Sequence, residues 1–166
     1  TLARAEATGN REAIQALRAL APYPGGQLSM EKIVAERKWD AALGGMLYGK
    51  STDDASEIWH LSPDYTEADY AAAEAGELSS VQILLPQLAQ VNFDSVTTFK
   101  CPVFIFAGAD DRTTPEMLAE RYFQRIDAPK KKFFKIPQAA HYVMTEAQGE
   151  MLLDMVRYVR PLAQTR

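Results

Sequence analysis

The most informative part of the chain is the sequence Cys101-Pro-Val-Phe-Ile-Phe-Ala-Gly-Ala-Asp-Asp-Arg-Thr-Thr-Pro115. Its apolar run, 103–107, is continuous and lies between Pro102 and Gly108. This is the pattern of a strand that is buried on both faces in a parallel sheet. After a polar loop, Thr114-Pro115 predicts the start of a helix, with the threonine as N-cap and the proline in the first helical position.

A second strand and a final helix complete this region. Residues 132–136 form a short strand-like run that stops at Pro137, and a loop containing His141 follows. The last helix is predicted from its apolar face, which consists of Met151, Leu152, Met155, Val156 and Val159. The elements follow in the order strand, helix, strand, helix. The connection between the two strands is long enough for a right-handed crossover, so the sequence predicts an α/β fold with two parallel strands.

The first half of the chain has a helical pattern and contains no clear strand. Apolar residues predict one helical stripe up to Leu20, interrupted at Gly9-Asn10, and a second helix over 30–48. Thr66 is a candidate N-cap, with Asp69 three residues on, and a further helix is expected from 79 or 80 to 90. We therefore divide the chain into a mostly helical region, 1–98, and an α/β region, 99–166.

Composition excludes several classes of protein. The chain has 166 residues, of which 47% are hydrophobic and 24% charged, so it has enough apolar material for a core and is not disordered. It has no apolar run long enough to span a membrane. Its net charge of −4 argues against nucleic acid or an anionic membrane as the partner. The single cysteine, Cys101, excludes an internal disulfide and is compatible with the cytoplasm, which is the location that we favour.

The candidate chemistry lies in two loops. Ligands of open parallel sheets bind outside the carboxyl ends of the strands, where Asp110 and Asp111 follow the first strand and His141 follows the second. If the strands are neighbours, a carboxylate and an imidazole meet at one edge, which suits the Asp–His half of a catalytic triad. Asp111 is the better acid of the pair. The alternatives are that the aspartates serve only as turn residues and that the histidine is structural, while the spacing does not suit a metal.

These loops resemble those of a known family. Gly108-Ala-Asp-Asp-Arg-Thr-Thr-Pro115 is similar to the G-x-x-D-x-x-[TV]-P acid loop of α/β hydrolases, and Ile136-Pro-Gln-Ala-Ala-His141 resembles their histidine loop. The resemblance implies Asp111 as the triad acid, His141 as the triad base, and no cofactor. The sequence departs from the family pattern in two places. Ala140, before the histidine, stands where glycine is common, and the proline that usually comes shortly after an acidic residue downstream of the histidine, here Glu146, is missing.

Stretches of the first half, with one from the second, resemble a narrower group. Four stretches are similar to the cap and C-terminal half of bacterial hydrolases of the proline iminopeptidase type, namely Arg37-Lys-Trp39, Gly44-Gly-Met-Leu-Tyr-Gly49, Leu61-Ser-Pro-Asp-Tyr-Thr66 and Ala128-Pro-Lys-Lys131. The resemblance implies that the chain is a C-terminal fragment of an α/β-hydrolase fold, preceded by a mostly helical cap. Large cap side chains such as Trp39 and Tyr48 are candidates for the mouth of the site, and Asp40 is the candidate carboxylate for the free amine of the substrate.

The family's nucleophile is absent from these residues. The motif G-x-S-x-G, which carries the serine on a strained elbow, does not occur, and the chain begins at Thr1 instead of a methionine. We expect the serine to lie upstream of this chain and the isolated chain to be inactive. We also expect the chain to associate either with a missing N-terminal half or with a second copy. The expected substrate is a small molecule or short peptide. The alternatives are a dehalogenase or epoxide hydrolase with an aspartate nucleophile, and a non-catalytic ligand-binding or scaffold protein.

Overall fold

The computed structural model describes residues 1–25, 28–50 and 60–163. They form a mixed α/β structure with a two-stranded parallel sheet, arranged as two compact units. The first unit contains the described residues of 1–43 and 51–93, and the second contains those of 44–50 and 94–166. Residues 44–50 thus belong with the α/β region, although the sequence patterns place them in the helical one. The assignment of 1–98 as a cap stays a prediction.

The first unit begins with two short helices that pack on each other, α1 (Leu2–Thr8) and α2 (Arg11–Ala19). Gly9 ends α1 with a φ of 65°, a left-handed conformation that glycine adopts without steric cost. Asn10 then caps α2 by accepting a hydrogen bond from the N–H of Ala13 at 3.0 Å. The core between the helices is small, and its members are Ala5, Ala13 and Leu17, with Leu2, Ile14, Leu20, Trp39 and Leu43 packed against them.

Two further helices complete the described part of this unit, α3 (Met30–Ala42) and α4 (Glu67–Leu88). The prediction that α3 continues to residue 48 is wrong, because the chain leaves the helix before Gly44, whose φ is 75°. The N-cap at Thr66 is confirmed and forms a capping box with Asp69. The prediction of a separate helix from 79 or 80 is also wrong. One helix runs from Glu67 to Leu88, and it tolerates Pro86 because the proline lies so near its end that the missing N–H breaks little of the hydrogen-bond ladder.

The second unit is built on β1 (Val103–Gly108) and β2 (Lys131–Ile136), which pair in parallel from Val103 opposite Lys131 to Gly108 opposite Ile136. Both predicted strands are confirmed, each one residue longer. The rings of Phe106 and Phe134 stack across the sheet with centroids 4.4 Å apart. Phe106 packs against a buried cluster whose members are Phe134, Ile136, Ala139 and Val143.

Helix α5 (Glu116–Arg125) connects the two strands. Its N-cap is Pro115, not Thr114 as predicted, because the Thr114 hydroxyl donates to the carboxylate of Asp111 instead of accepting from the helix. After β2 the chain forms α6 (Val143–Glu146), α7 (Gln148–Asp154), a π-helical turn (Met155–Val159) and α8 (Arg160–Ala163). None of the helices in the described parts of the chain has the length and apolarity needed to cross a membrane.

Candidate functional site

The loops that follow β1 and β2 lie side by side in the second unit. The N–H of Ala109 donates to the carbonyl of Ile136 at 2.8 Å, and the N–H of Asp110 donates to the carbonyl of Ala139 at 2.9 Å. These bonds extend the contact between the strands past their carboxyl ends. The two loops are therefore held together at the sheet edge where parallel sheets bind ligands.

Asp111 and His141 meet at this edge. His141 Nδ1 lies 3.1 Å from Asp111 Oδ2. The Asp111 side chain is 9% exposed and the His141 side chain 34%, so the carboxylate is shielded while part of the imidazole faces solvent. The parallel pairing of the strands explains the encounter, because it brings the residues that follow Gly108 next to those that follow Ile136.

Thr114 fixes the carboxylate of Asp111. The N–H of Thr114 donates to Asp111 Oδ1 at 2.9 Å, and its hydroxyl donates to Oδ2 at 3.0 Å. The hydroxyl oxygen also lies 3.3 Å from His141 Nδ1. Within the described residues, the hydrogen bonds of the imidazole all involve Nδ1. The arrangement leaves Nε2 as the nitrogen that can exchange a proton with a substrate or a nucleophile.

A segment far away in the sequence, residues 44–50, packs against both loops. The N–H of Arg112 donates to the carbonyl of Gly45 at 3.3 Å, and the N–H of His141 donates to the carbonyl of Met46 at 3.1 Å. Sequence reasoning placed this segment at the end of a helix and missed its contact with the site. The signal was present in Gly44-Gly45, since paired glycines allow another backbone to approach closely.

Glu146 is a second residue that sequence reasoning did not assign to the site. Its Oε2 accepts a hydrogen bond from the N–H of Ala140 at 2.9 Å, and its Oε1 accepts one from the N–H of Tyr48 at 2.5 Å. One carboxylate therefore joins the histidine loop to segment 44–50. A single glutamate in a short helix has no spacing pattern that would have revealed this.

An ion pair lies beside the acid loop. Glu116 is 6% exposed, and its Oε2 lies 2.7 Å from Lys135 Nζ on β2. The hydrogen bond that Lys135 donates to Glu116 raises the pKa of its ammonium group above the ordinary value. The N–H of Glu116 donates to the carbonyl of Asp111 at 3.3 Å, so the pair is attached directly to the residue that holds the histidine.

The other predicted binding residues are divided between the units. Trp39 and Asp40 lie on α3 in the first unit, where Trp39 packs against the core and Asp40 is fully buried. Asp40 accepts a hydrogen bond from the Thr1 hydroxyl at 3.3 Å and lies 3.9 Å from Arg37 Nη1. Tyr48 belongs to the second unit, and 42% of the residue is exposed. A role for these three in substrate binding stays a prediction.

Asp110 and the second histidine of the chain, His60, have ordinary structural contacts. Asp110 lies in the acid loop and pairs with Arg112 at 3.6 Å. His60 is an exposed residue of the first unit that bonds to Glu67 at 3.1 Å and stacks on Tyr70. In the portion of the chain that the structure describes, no group of three or more His, Cys, Asp or Glu side chains is placed to hold a metal ion.

Comparison with known proteins gives one informative match. A stretch of 68 residues, 41% of this chain, is 33% identical to part of the probable aminopeptidase YbaC of Bacillus subtilis (strain 168). The match covers 21% of that protein, so the two chains share about a fifth of the relative's length. No family model matches the chain, and no solved structure matches it. The similarity favours a relationship to hydrolases and does not establish a family.

Proposed function

We propose that the chain supplies the acid and the base of a serine hydrolase, Asp111 and His141, and that the nucleophilic serine lies upstream of Thr1. The observation that carries this proposal is the 3.1 Å contact between Asp111 Oδ2 and His141 Nδ1, at the carboxyl ends of two parallel strands. A shielded carboxylate that faces a partly exposed imidazole is the arrangement that general base catalysis requires.

The mechanism follows from the two nitrogens of the imidazole. Asp111 accepts a hydrogen bond from the N–H at Nδ1, which fixes the tautomer in which Nε2 has a free lone pair. Nε2 removes the proton of the serine hydroxyl as it attacks the substrate carbonyl, and later donates this proton to the leaving group. The carboxylate stabilises the imidazolium that exists between these steps, and its two bonds to Thr114 keep it in place.

The proposed substrate is an amide at an N-terminal residue, with a small ester as the second choice. Support comes from the similarity to a probable aminopeptidase and from the resemblance of the first half to hydrolases of the proline iminopeptidase type. Tyr48, which lies in the same unit as Asp111 and His141 and is 42% exposed, is the proposed apolar contact of the substrate.

The test compares two histidine variants in the protein with its upstream sequence present. We expect His141→Ala to reduce the turnover of an amino-acid arylamide and an aryl ester by about 10⁴-fold or more, because the base is lost. His60→Ala is the matched control, since His60 belongs to the first unit and contacts Glu67 and Tyr70. It is expected to retain activity within about twofold.

Each outcome of this assay has a clear meaning. Full activity of His141→Ala would show that the proposed base is wrong. If the parent protein hydrolyses only the ester, and does so through His141, the catalytic pair is supported and the proposed amide substrate is wrong. The identity of the upstream nucleophile is tested by intact mass after reaction with a fluorophosphonate, which labels an activated serine and leaves an aspartate nucleophile unmodified.

A further inference from the structure

The carboxylate of Glu146 closes a ring of hydrogen bonds around the backbone of His141. Glu146 accepts from the N–H of Ala140, the residue before the histidine, at 2.9 Å. It also accepts from the N–H of Tyr48 at 2.5 Å. The ring is completed by the N–H of His141, which donates to the carbonyl of Met46 at 3.1 Å. Residues 46–48 and 140–141 are thus linked twice, once directly and once through Glu146.

The surroundings make the bond from Ala140 to Glu146 costly to lose. Ala140 is fully buried, and Leu47, which lies between the two bonded residues of its segment, is 2% exposed. A buried N–H without an acceptor destabilises a structure by more than the hydrogen bond itself contributes. The Ala140 N–H would be in this state if Glu146 were removed, and the loop that carries His141 would be able to move away from segment 44–50.

We infer that Glu146 is a positioning residue, which holds the His141 loop against segment 44–50 and thereby keeps the imidazole on Asp111. Glu146 acts through the backbone and makes no contact with the imidazole ring among the described residues. The consequence for catalysis rests on the proposed function. The consequence for the orientation of His141 does not depend on it and can be measured on the chain itself.

The experiment uses two substitutions at Glu146 and one control. Glu146→Gln has the same shape and keeps only one side-chain oxygen as an acceptor, so it loses one of the two bonds. Glu146→Ala loses both. Glu150→Gln is the matched control, because Glu150 is an exposed carboxylate on the next helix, α7. Amide hydrogen exchange and the nitrogen-15 signals of the His141 side chain are measured by NMR in each variant.

We expect the amides of Ala140 and Tyr48 to exchange more than about tenfold faster in Glu146→Ala, because both lose a bond to a charged acceptor. In Glu146→Gln at least one of the two does so, and in Glu150→Gln neither does. We also expect the neutral His141 side chain to change from the single tautomer with a proton on Nδ1 to a mixture of tautomers in Glu146→Ala. Glu146→Gln has an intermediate effect.

Two results would overturn the inference. Unchanged exchange of both amides in Glu146→Gln would show that the bonds do not hold the loop, and this variant is expected to fold even if Glu146→Ala does not. Faster exchange with an unchanged His141 tautomer would show a purely structural role. In the active protein, Glu146→Gln should lower kcat and leave KM nearly unchanged. The two proposals can fail separately. If Glu146→Ala loses the single His141 tautomer but the parent protein has no hydrolase activity, this inference stands and the proposed function is refuted.

Discussion

Gly108, the last residue of β1, lies directly against the carbonyl group of Ala140. A Cβ atom placed on Gly108 would be 2.2 Å from the carbonyl oxygen of Ala140 and 2.5 Å from that of Ala139. Both atoms belong to the backbone and cannot move without moving the residues that carry His141. The approach of the histidine loop to the first strand therefore requires glycine at this position for lack of space, and not for its φ angle.

We predict that Gly108→Ala destabilises the chain and displaces the histidine. Overpacking at such a contact lowers the free energy of unfolding by about 1–3 kcal/mol, which urea denaturation can measure. Gly149→Ala is the control, since Gly149 lies in α7 and a Cβ there would meet nothing within 4 Å. This change should not lower stability, because alanine has the higher helix propensity of the two residues. Equal stability of Gly108→Ala and the parent chain would contradict the observed contact.

Asp111→Asn tests the carboxylate separately from the shape of the loop. The amide is similar in size, but it cannot stabilise the imidazolium, and its NH₂ group favours the wrong tautomer of His141. We predict that kcat falls by about 10⁴-fold in the active protein, while the fold is retained. Asp110→Asn serves as the control, because Asp110 pairs with Arg112, and it should have less than about a tenth of that effect. Similar losses in the two variants would refute the assignment of Asp111.

The pair of Glu116 and Lys135 allows a prediction about stability. Lys135→Met removes the cation from a carboxylate that is only 6% exposed, so we predict a lower melting temperature. Glu116→Gln in the same chain should restore part of the loss, because the buried group is then neutral. A double-mutant cycle measured by thermal denaturation checks this coupling. Additive effects of the two substitutions would show that the pair does not contribute as a unit.

The raised pKa of Lys135 gives this pair a defined pH dependence. A lysine whose pKa is higher in the folded chain stabilises the fold below its unfolded pKa of about 10.4, and this contribution is lost as the pH rises through the folded pKa. The parent chain should therefore lose stability in this alkaline range. Lys135→Met should show less of the loss, and identical alkaline profiles for the two proteins would argue against the linkage.

The capping box of α4 predicts a change in helix content at low pH. The hydroxyl and the backbone N–H of Thr66 donate to Asp69 at 2.6 and 2.8 Å and hold the pKa of that carboxyl below its ordinary value. A lowered pKa stabilises the helix above the unfolded value of about 3.9, and the contribution disappears as the pH falls through the folded pKa. Circular dichroism of the parent chain should show a loss of helix content between pH 6 and pH 2 as the start of α4 frays. The variant Asp69→Asn should show the same loss already at pH 6.

The second half of α4 predicts self-association. Large apolar side chains are exposed along it and beyond its end, namely Ile83, Leu84, Leu88, Val91 and Phe93. Exposed apolar clusters of this kind favour association, and of the two partners expected from the sequence a second copy is the one that the isolated chain can meet. Light scattering should detect a dimer in the parent chain and a monomer in the double variant Ile83→Glu, Leu88→Glu. Ala72→Glu on the same helix is the control, and a monomeric parent chain would contradict the prediction.

The amino-acid sequence by itself determined the two strands and the positions of Asp111 and His141. The apolar run between Pro102 and Gly108 is a local pattern, and hydrophobic periodicity is the property of a sequence that can be read most directly. Parallel strands place their following loops at one edge of the sheet, so the encounter of the acid with the histidine follows from topology once both strands are recognised. The capping box at Thr66 was predictable for the same reason, since its partners are three residues apart.

Tertiary structure alone decided what supports that pair. Segment 44–50 bonds to the backbone of Arg112 and His141, and Glu146 reaches Tyr48, although these partners are far apart in the sequence. Every residue has an N–H or a C=O to offer, so backbone contacts over such distances leave no periodicity or motif to recognise. The hydroxyl of Thr114 bonds to Asp111 rather than to its own helix because the folded chain brings the carboxylate within reach, and local propensity could not have indicated that choice.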